Sequence, residues 1–202
     1  MTVIPINLAI EDDLSEAVLR RLLDHADREY FVGTAYGRSG SGYLRRTVNG
    51  WNRAAQGTPF AVLTDLDQFP CATELVETWL SRGPKHPNLL LRVAVREVES
   101  WLLADGRNLS SYLGIHQRWL PEDPDSLEDP KRTLVQLAGR SRSFSIRQRI
   151  VPKVGSTAKQ GRNYNDCLSA FVNGAWDVEL ARTRSPSLER AMKRFETFEP
   201  TW

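Results

Sequence analysis

Apolar and polar positions along the first half of the chain alternate in the pattern of strands followed by helices. A dense apolar run at residues 3–10 predicts a buried strand, and leucines and valines at helical spacing predict a helix over 14–26. The same pattern predicts further strands at 30–36, 60–64 and 88–95, with helices at 44–55, at 72–80 and around 101–103. Such alternation predicts an α/β fold with a four-stranded, mainly parallel sheet flanked by helices.

The second half of the chain has a different pattern. After residue 105 it becomes helical and loop-rich, with short helices predicted at 109–113, 133–137, 164–172 and 188–195. We therefore expect an α/β core over residues 1–105. Residues 106–202 are expected to form a helical, loop-rich extension packed on that core, as part of one structural unit.

Composition places the chain among ordinary globular proteins. It has 202 residues, of which 41% are hydrophobic and 26% charged. No apolar stretch approaches the roughly 20 residues that span a bilayer, and no basic segment leads into an apolar signal core. Two widely separated cysteines are expected to be reduced. These features predict a cytoplasmic protein without a membrane partner.

Acidic residues follow three of the predicted strands. Glu11 follows the first strand, Asp65 and Asp67 follow the third, and Glu97 and Glu99 follow the fourth. Ligands of parallel sheets bind outside the carboxyl ends of the strands, where these acids are expected to meet. Buried carboxylates need a compensating partner, and oxygen ligands suit a divalent cation. Acids at strand ends and helix starts also occur without any metal, which is the simpler alternative.

The preferred interpretation is a Mg²⁺ or Mn²⁺ site for phosphate chemistry. Its proposed ligands are Glu11, Asp65 and Asp67, with Glu99 as a fourth member that a helix start would also explain. In extended backbone the two aspartates of Asp65-Leu66-Asp67 would point to the same side. The first three residues are also the catalytic candidates, because a metal held there would activate water, and Glu11 could act as a general base or acid.

A basic segment over residues 140–162 contains seven arginines and lysines and no acid, although the net charge of the chain is only +2. It also contains serine, glycine and glutamine, which are typical of loops that contact phosphates. Lys153, Lys159 and Arg162 are the candidate nucleic-acid contacts. A solvated surface loop remains the alternative.

The acidic pattern resembles the TOPRIM domain, in which a glutamate follows the first strand and a DxD motif follows the third. Glu11 matches the first motif, and Asp65 and Asp67 match the second. The whole chain resembles the DUF4276 family of TOPRIM-related proteins, which are related to the OLD-family nucleases. That likeness includes the segment Glu99 to Asp105, the helix start Pro130-Lys131 and the closing segment Arg182 to Leu188.

The resemblance implies magnesium-dependent cleavage of nucleic acid, with DNA favoured over RNA, beside an ATPase of the ABC or SMC-like type in anti-phage defence. Asp12 follows Glu11 where TOPRIM domains usually have glycine, and Asp12 or Asp13 would be either an extra ligand or a helix start. The alternative function is a non-catalytic binding or regulatory subunit of an ATPase complex. A dehalogenase-like phosphatase is disfavoured, because its nucleophilic aspartate would stand where this chain has Glu11.

Overall fold

The computed structural model describes residues 3–202, which form a parallel sheet with helices on both faces. The first half contains β1 (Ile4–Ile10), α1 (Asp13–His25), β2 (Tyr30–Gly37), α2 (Ser41–Ala54), β3 (Phe60–Asp65), α3 (Ala72–Trp79), β4 (Leu89–Ala94) and α4 (Val98–Ala104). The second half contains α5 (Gly106–Leu113), α6 (Pro130–Gly139), α7 (Phe144–Ile150), α8 (Tyr164–Gly174), α9 (Val178–Arg182) and α10 (Pro186–Glu196).

All strand pairs in the sheet are parallel, and the strand order is β2-β1-β3-β4. The predicted α/β class with a four-stranded sheet and a helical second half is therefore confirmed. The two central strands, β1 and β3, carry the first two acidic motifs at their carboxyl ends. Their register pairs Ala9 with Val62, so both strands end at the same edge of the sheet.

Alternate side chains of each strand enter two hydrophobic cores. Ile6 and Leu63 belong to the larger core, whereas Ala9 and Val62 belong to the smaller core beneath α2 and α3. The larger core also contains side chains of α1, α4 and the C-terminal helices, and both Trp101 and Phe171 lie in it without exposed surface. The sheet and the second half of the chain thus share the larger of the two cores.

One part of the second half differs from expectation. The basic segment was expected to be a loop, but helix α7 forms at its centre, where Ser143 caps the helix through a hydrogen bond from Ile146 N. Ile146 and Ile150 are the buried face of this helix. The remaining loop of the segment is therefore shorter than predicted. Within residues 3–202, no helix has the length and apolar character needed to cross a membrane.

Candidate functional site at the carboxyl edge of the sheet

Glu11 lies directly after β1 and is tied to the end of β3. Its Oε1 atom accepts hydrogen bonds from Thr64 Oγ1 at 2.5 Å and from Asp65 N at 3.0 Å. Burial raises the pKa of the Glu11 carboxyl, the two hydrogen bonds oppose this, and the charges of Asp67 and Asp12 add to it. Its second oxygen, Oε2, makes no hydrogen bond within residues 3–202.

Asp65 is the last residue of β3 and lies between Glu11 and the start of α4. Its Oδ1 atom accepts a hydrogen bond of 2.8 Å from Val98 N, while Oδ2 makes none among the described residues. Burial raises the pKa of the Asp65 carboxyl well above its usual value, and the charges of Glu99 and Glu11 raise it further. Asp65 therefore has one oriented oxygen and one free oxygen, as Glu11 does.

Asp67 is placed by a turn rather than by a strand. The expectation of extended backbone through Asp65-Leu66-Asp67 is wrong: β3 ends at Asp65, and Asp67 has a φ of +50°. Left-handed backbone of this kind is tolerated by aspartate better than by most residues. Leu66 N donates to the carbonyls of Ala94 and Arg96 at 2.9 and 3.0 Å, and these bonds pull the chain toward the end of β4.

Glu99 lies in the first turn of α4 and is only 2% exposed. Its Oε1 atom accepts a hydrogen bond of 2.9 Å from the Tyr164 hydroxyl and lies 3.5 Å from Lys131 Nζ. Burial raises the pKa of Glu99 to about 7 despite the opposing charge of Lys131. Burial and the charge of Glu99 also raise the pKa of Tyr164, so its phenol stays protonated and is unsuited to be a nucleophile.

Lys131 is a site residue that was not predicted. Its ammonium group pairs with Glu99. Its backbone N, in the first turn of α6, donates a hydrogen bond of 2.8 Å to Glu97 Oε2. Burial works against the charge of Lys131, but the nearby carboxylates of Glu99, Glu97 and Asp65 outweigh it and raise its pKa. The sequence marked Lys131 only as part of a Pro-Lys helix start. Nothing in its local pattern indicated that α6 would direct it at the acids.

The remaining nearby acids have identifiable structural partners. Asp12 caps α1, since its Oδ1 atom accepts a 2.8 Å bond from Ser15 N, and its Oδ2 atom accepts from Asn165 Nδ2 at 3.1 Å. Asp13 forms an ion pair of 3.0 Å with Arg38. The helix-start interpretation thus describes Asp12, and Asp13 makes a surface ion pair.

Two adjoining clefts open beside the acids. One, of about 590 Å³, is lined by Glu97, Asp129, Lys131, Arg132, Lys159 and Gln160. The other, of about 610 Å³, is lined by Asp67, Gln68, Arg96, Glu97, Glu128, Asp129, Arg132 and Lys159. Lys159 lines both clefts and so faces the same space as Asp67 and Glu97. Arg132 is a second unpredicted cation there.

Lys153 and Arg162, the other two predicted phosphate contacts, line a separate cleft of about 450 Å³ together with Arg149. The structure therefore brings one of the three predicted cations to the acidic edge. The other two lie along the same basic segment, on the far side of Gln160, which lines both this cleft and the first one.

The donor set has the chemistry of a magnesium site but not a closed geometry. Carboxylate oxygens suit Mg²⁺ and Mn²⁺, and Glu11 and Asp65 each keep one oxygen without a hydrogen bond. In residues 3–202, however, no three acidic, histidine or cysteine side chains converge closely enough to enclose an ion. Magnesium sites with few protein ligands complete their shell with water and substrate phosphate, which this open arrangement would allow.

Comparison with models of protein families, with curated proteins and with solved structures found no match for this chain. The resemblance to the TOPRIM domain and to DUF4276 therefore stays a prediction from the sequence.

Proposed function

We propose that this protein is a Mg²⁺- or Mn²⁺-dependent nuclease of TOPRIM type that cleaves nucleic-acid phosphodiesters, with DNA as the preferred substrate. The observation that carries the proposal is the direct link between Glu11 and Asp65 across the carboxyl ends of the central strands. Ligands of parallel sheets bind at this edge. A basic side chain, Lys159, lines the cleft that Asp67 also lines.

The proposed metal ligands are Glu11, Asp65 and Asp67, with Glu99 at the buried end. A bound Mg²⁺ would supply a water of lowered pKa and a positive charge opposite the phosphate. Thr64 and the Asp65 amide hold Glu11 in position through its Oε1 atom, which leaves Oε2 for a ligand. Lys131 compensates the charge of Glu99, and Lys159 would hold a substrate phosphate.

The wider setting of this function follows from the resemblance to DUF4276. We propose a cytoplasmic protein that acts with an ATPase of the ABC or SMC-like type in anti-phage defence. The support is the shared order of motifs: an acid after the first strand, Asp-x-Asp after the third, and the Pro-Lys start of α6, whose lysine lies against Glu99.

Replacing Asp65 or Asp67 by asparagine tests the proposal. Asparagine keeps the shape of each side chain and tolerates the left-handed backbone at Asp67, but it removes the charge that would hold the metal. We expect each variant to lose cleavage of end-labelled DNA by about 100-fold or more while its unfolding midpoint does not fall, since loss of one group acting on the reacting phosphate has effects of this size. Asp24→Asn, at an exposed position on α1, is the control and should cleave normally.

The assay uses single- and double-stranded DNA and RNA, with Mg²⁺ or Mn²⁺, both alone and with a candidate ATPase. If the parent protein cleaves nucleic acid and both asparagine variants cleave it equally well, the assigned site is refuted. Absence of cleavage under every condition would refute the nuclease function itself.

A non-catalytic subunit of an ATPase complex is the second candidate. One observation favours it: Lys131 already compensates the charge of Glu99, a role that a metal ion would otherwise take. In that case calorimetric titration with Mn²⁺ would show no binding, and the Asp65→Asn and Asp67→Asn variants would keep both partner binding and biological activity.

A further inference from the structure

A cleft on the outer side of β4 has no part in the function proposed above. β4 is an edge strand of the sheet, and the cleft of about 420 Å³ runs along it between α3 and α10. Its lining consists of Ala72, Thr73, Val76, Glu77, Lys85, Leu91, Arg92, Val93, Ser187, Arg190 and Ala191.

Arg92 is the central cation of this cleft. It is a β4 residue whose side chain makes no hydrogen bond and no ion pair within residues 3–202, and its Nε atom is buried without a partner. Burial, together with the positive charges of Arg194 and Arg190, lowers the pKa of the Arg92 guanidinium to about 10. The protein thus holds a partly buried charge that its own residues do not compensate.

Three further cations surround Arg92. Lys85 Nζ donates to the Leu89 carbonyl at 3.1 Å, and Arg194 donates to the Pro87 carbonyl at 3.1 Å, while Arg190 on α10 is exposed. None of the four cations forms an ion pair with an acid in the described part of the chain. Glu77 is the single acidic residue in the lining, and it too lacks an ion pair there.

Uncompensated positive charge in a half-buried cleft is unfavourable, and a bound anion would remove the penalty. We propose that this cleft binds a phosphate group, with Arg92 and Arg190 as its principal contacts. A phosphate accepts several hydrogen bonds from different directions, which matches cations approaching from β4, from α10 and from the loop before β4.

The cleft is larger than a phosphate ion alone, and its volume lies in the range of small-molecule sites. Val76, Leu91, Val93 and Ala191 supply apolar walls next to the cations. The ligand class is therefore a phosphate that carries an organic group, and that phosphate belongs either to a free small molecule or to a nucleic-acid strand.

Binding of inorganic phosphate to the full chain tests this proposal. The unfolding midpoint is measured over a phosphate series, with chloride and acetate at matched ionic strength, and calorimetry gives the dissociation constant. We expect stabilisation that grows with phosphate concentration and is absent with the other two anions. Arg92→Met and Arg190→Met should each raise the phosphate dissociation constant at least tenfold, whereas Glu77→Gln should lower it.

Arg190 is exposed, so Arg190→Met keeps the test open even where Arg92→Met fails to fold. Arg118→Met, at an exposed position away from the cleft, should bind phosphate as the parent does. The proposal is overturned by equal stabilisation in phosphate, acetate and chloride, or by unchanged phosphate binding in both cleft variants.

A short single-stranded DNA distinguishes the two sources of phosphate. If the DNA displaces inorganic phosphate from the parent protein but not from Arg190→Met, the ligand is a nucleic-acid strand. If the DNA does not displace phosphate from the parent protein, the ligand is a small phosphorylated molecule. The Asp67→Asn variant should bind phosphate as the parent does. Phosphate binding at the β4 cleft can therefore be confirmed or refuted independently of the nuclease proposal.

Discussion

Glu99 shows what a single buried carboxyl does to the protein at the residue scale. Its pKa of about 7 lies above the ordinary value of 4.5, because burial disfavours the charged form. Between these two values the folded protein retains a proton that the unfolded chain has released. The free energy of unfolding should therefore fall as pH rises through this window, by at most about 1.4 kcal/mol per pH unit for one proton.

Glu99→Gln removes this contribution while keeping an acceptor for the Tyr164 hydroxyl. Urea unfolding in EDTA, at several pH values from about 4.5 to about 7, should show a flatter pH dependence for the variant than for the parent. Asp65, Glu11 and Glu97 leave a residual slope of the same sign, since burial raises their pKa values as well. Equal slopes in the two proteins would contradict the raised pKa of Glu99.

Individual residues also show where sequence reasoning succeeds. Glu11 and Asp65 were predictable as neighbours, because an acid after a strand of a parallel sheet must lie at its carboxyl edge. The orientation of Asp67 was not, since it depends on hydrogen bonds from Leu66 to the carbonyls of Ala94, at the end of β4, and of Arg96. Lys131 was missed for a similar reason: it reaches Glu99 only through the packing of α6 against α4.

At the scale of elements, the turn from β2 into α2 holds the end of β1. Gly37 has a φ of +119°, and a Cβ atom there would lie 2.0 Å from the Ile10 carbonyl oxygen. The following turn donates two backbone hydrogen bonds to β1, from Arg38 N to Ile10 O and from Gly40 N to Glu11 O, both at 3.0 Å. This loop therefore helps to position the backbone of Glu11.

Gly37→Ala should destabilise the protein by more than about 1 kcal/mol in urea unfolding, because both the φ angle and the contact exclude a side chain. It should also reduce the nucleic-acid cleavage proposed to depend on Glu11. Gly50→Ala is a matched control: Gly50 lies within helix α2, and an added Cβ would meet nothing within 4 Å apart from the backbone of its own helix, so this change should stabilise by about 0.5–1 kcal/mol. Equal effects of the two substitutions would contradict the role of Gly37.

Most elements were predictable from periodicity, and the exceptions have physical causes. Helix α7 carries only two buried side chains, Ile146 and Ile150, and lies among arginines and serines, so its apolar pattern was too short to detect. Helix α9 has just five residues. By contrast, β1 and β3 are nearly continuous apolar runs, which are typical of strands buried on both faces of a parallel sheet.

The distribution of charge becomes informative at the scale of the whole molecule. The net charge of +2 is small, yet the basic segment over residues 140–162 has seven cations and no acid. Lys159 shares a cleft with Asp67, and Lys153 and Arg162 extend the positive surface along the same segment. A nucleic-acid strand that contacts all three would release counterions, so its affinity would fall steeply with salt.

Replacing Lys153, Lys159 and Arg162 together by alanine should reduce the slope of log affinity against log salt concentration by about two to three, measured by fluorescence anisotropy with a labelled DNA duplex. An equal loss of charge at the exposed Arg53, Arg82 and Arg107 should leave the slope nearly unchanged. Identical slopes for the two triple variants would mean that binding follows overall charge and not this surface. Lys159→Ala alone should also slow cleavage, because only this one of the three cations lines the clefts beside Asp67 and Glu97.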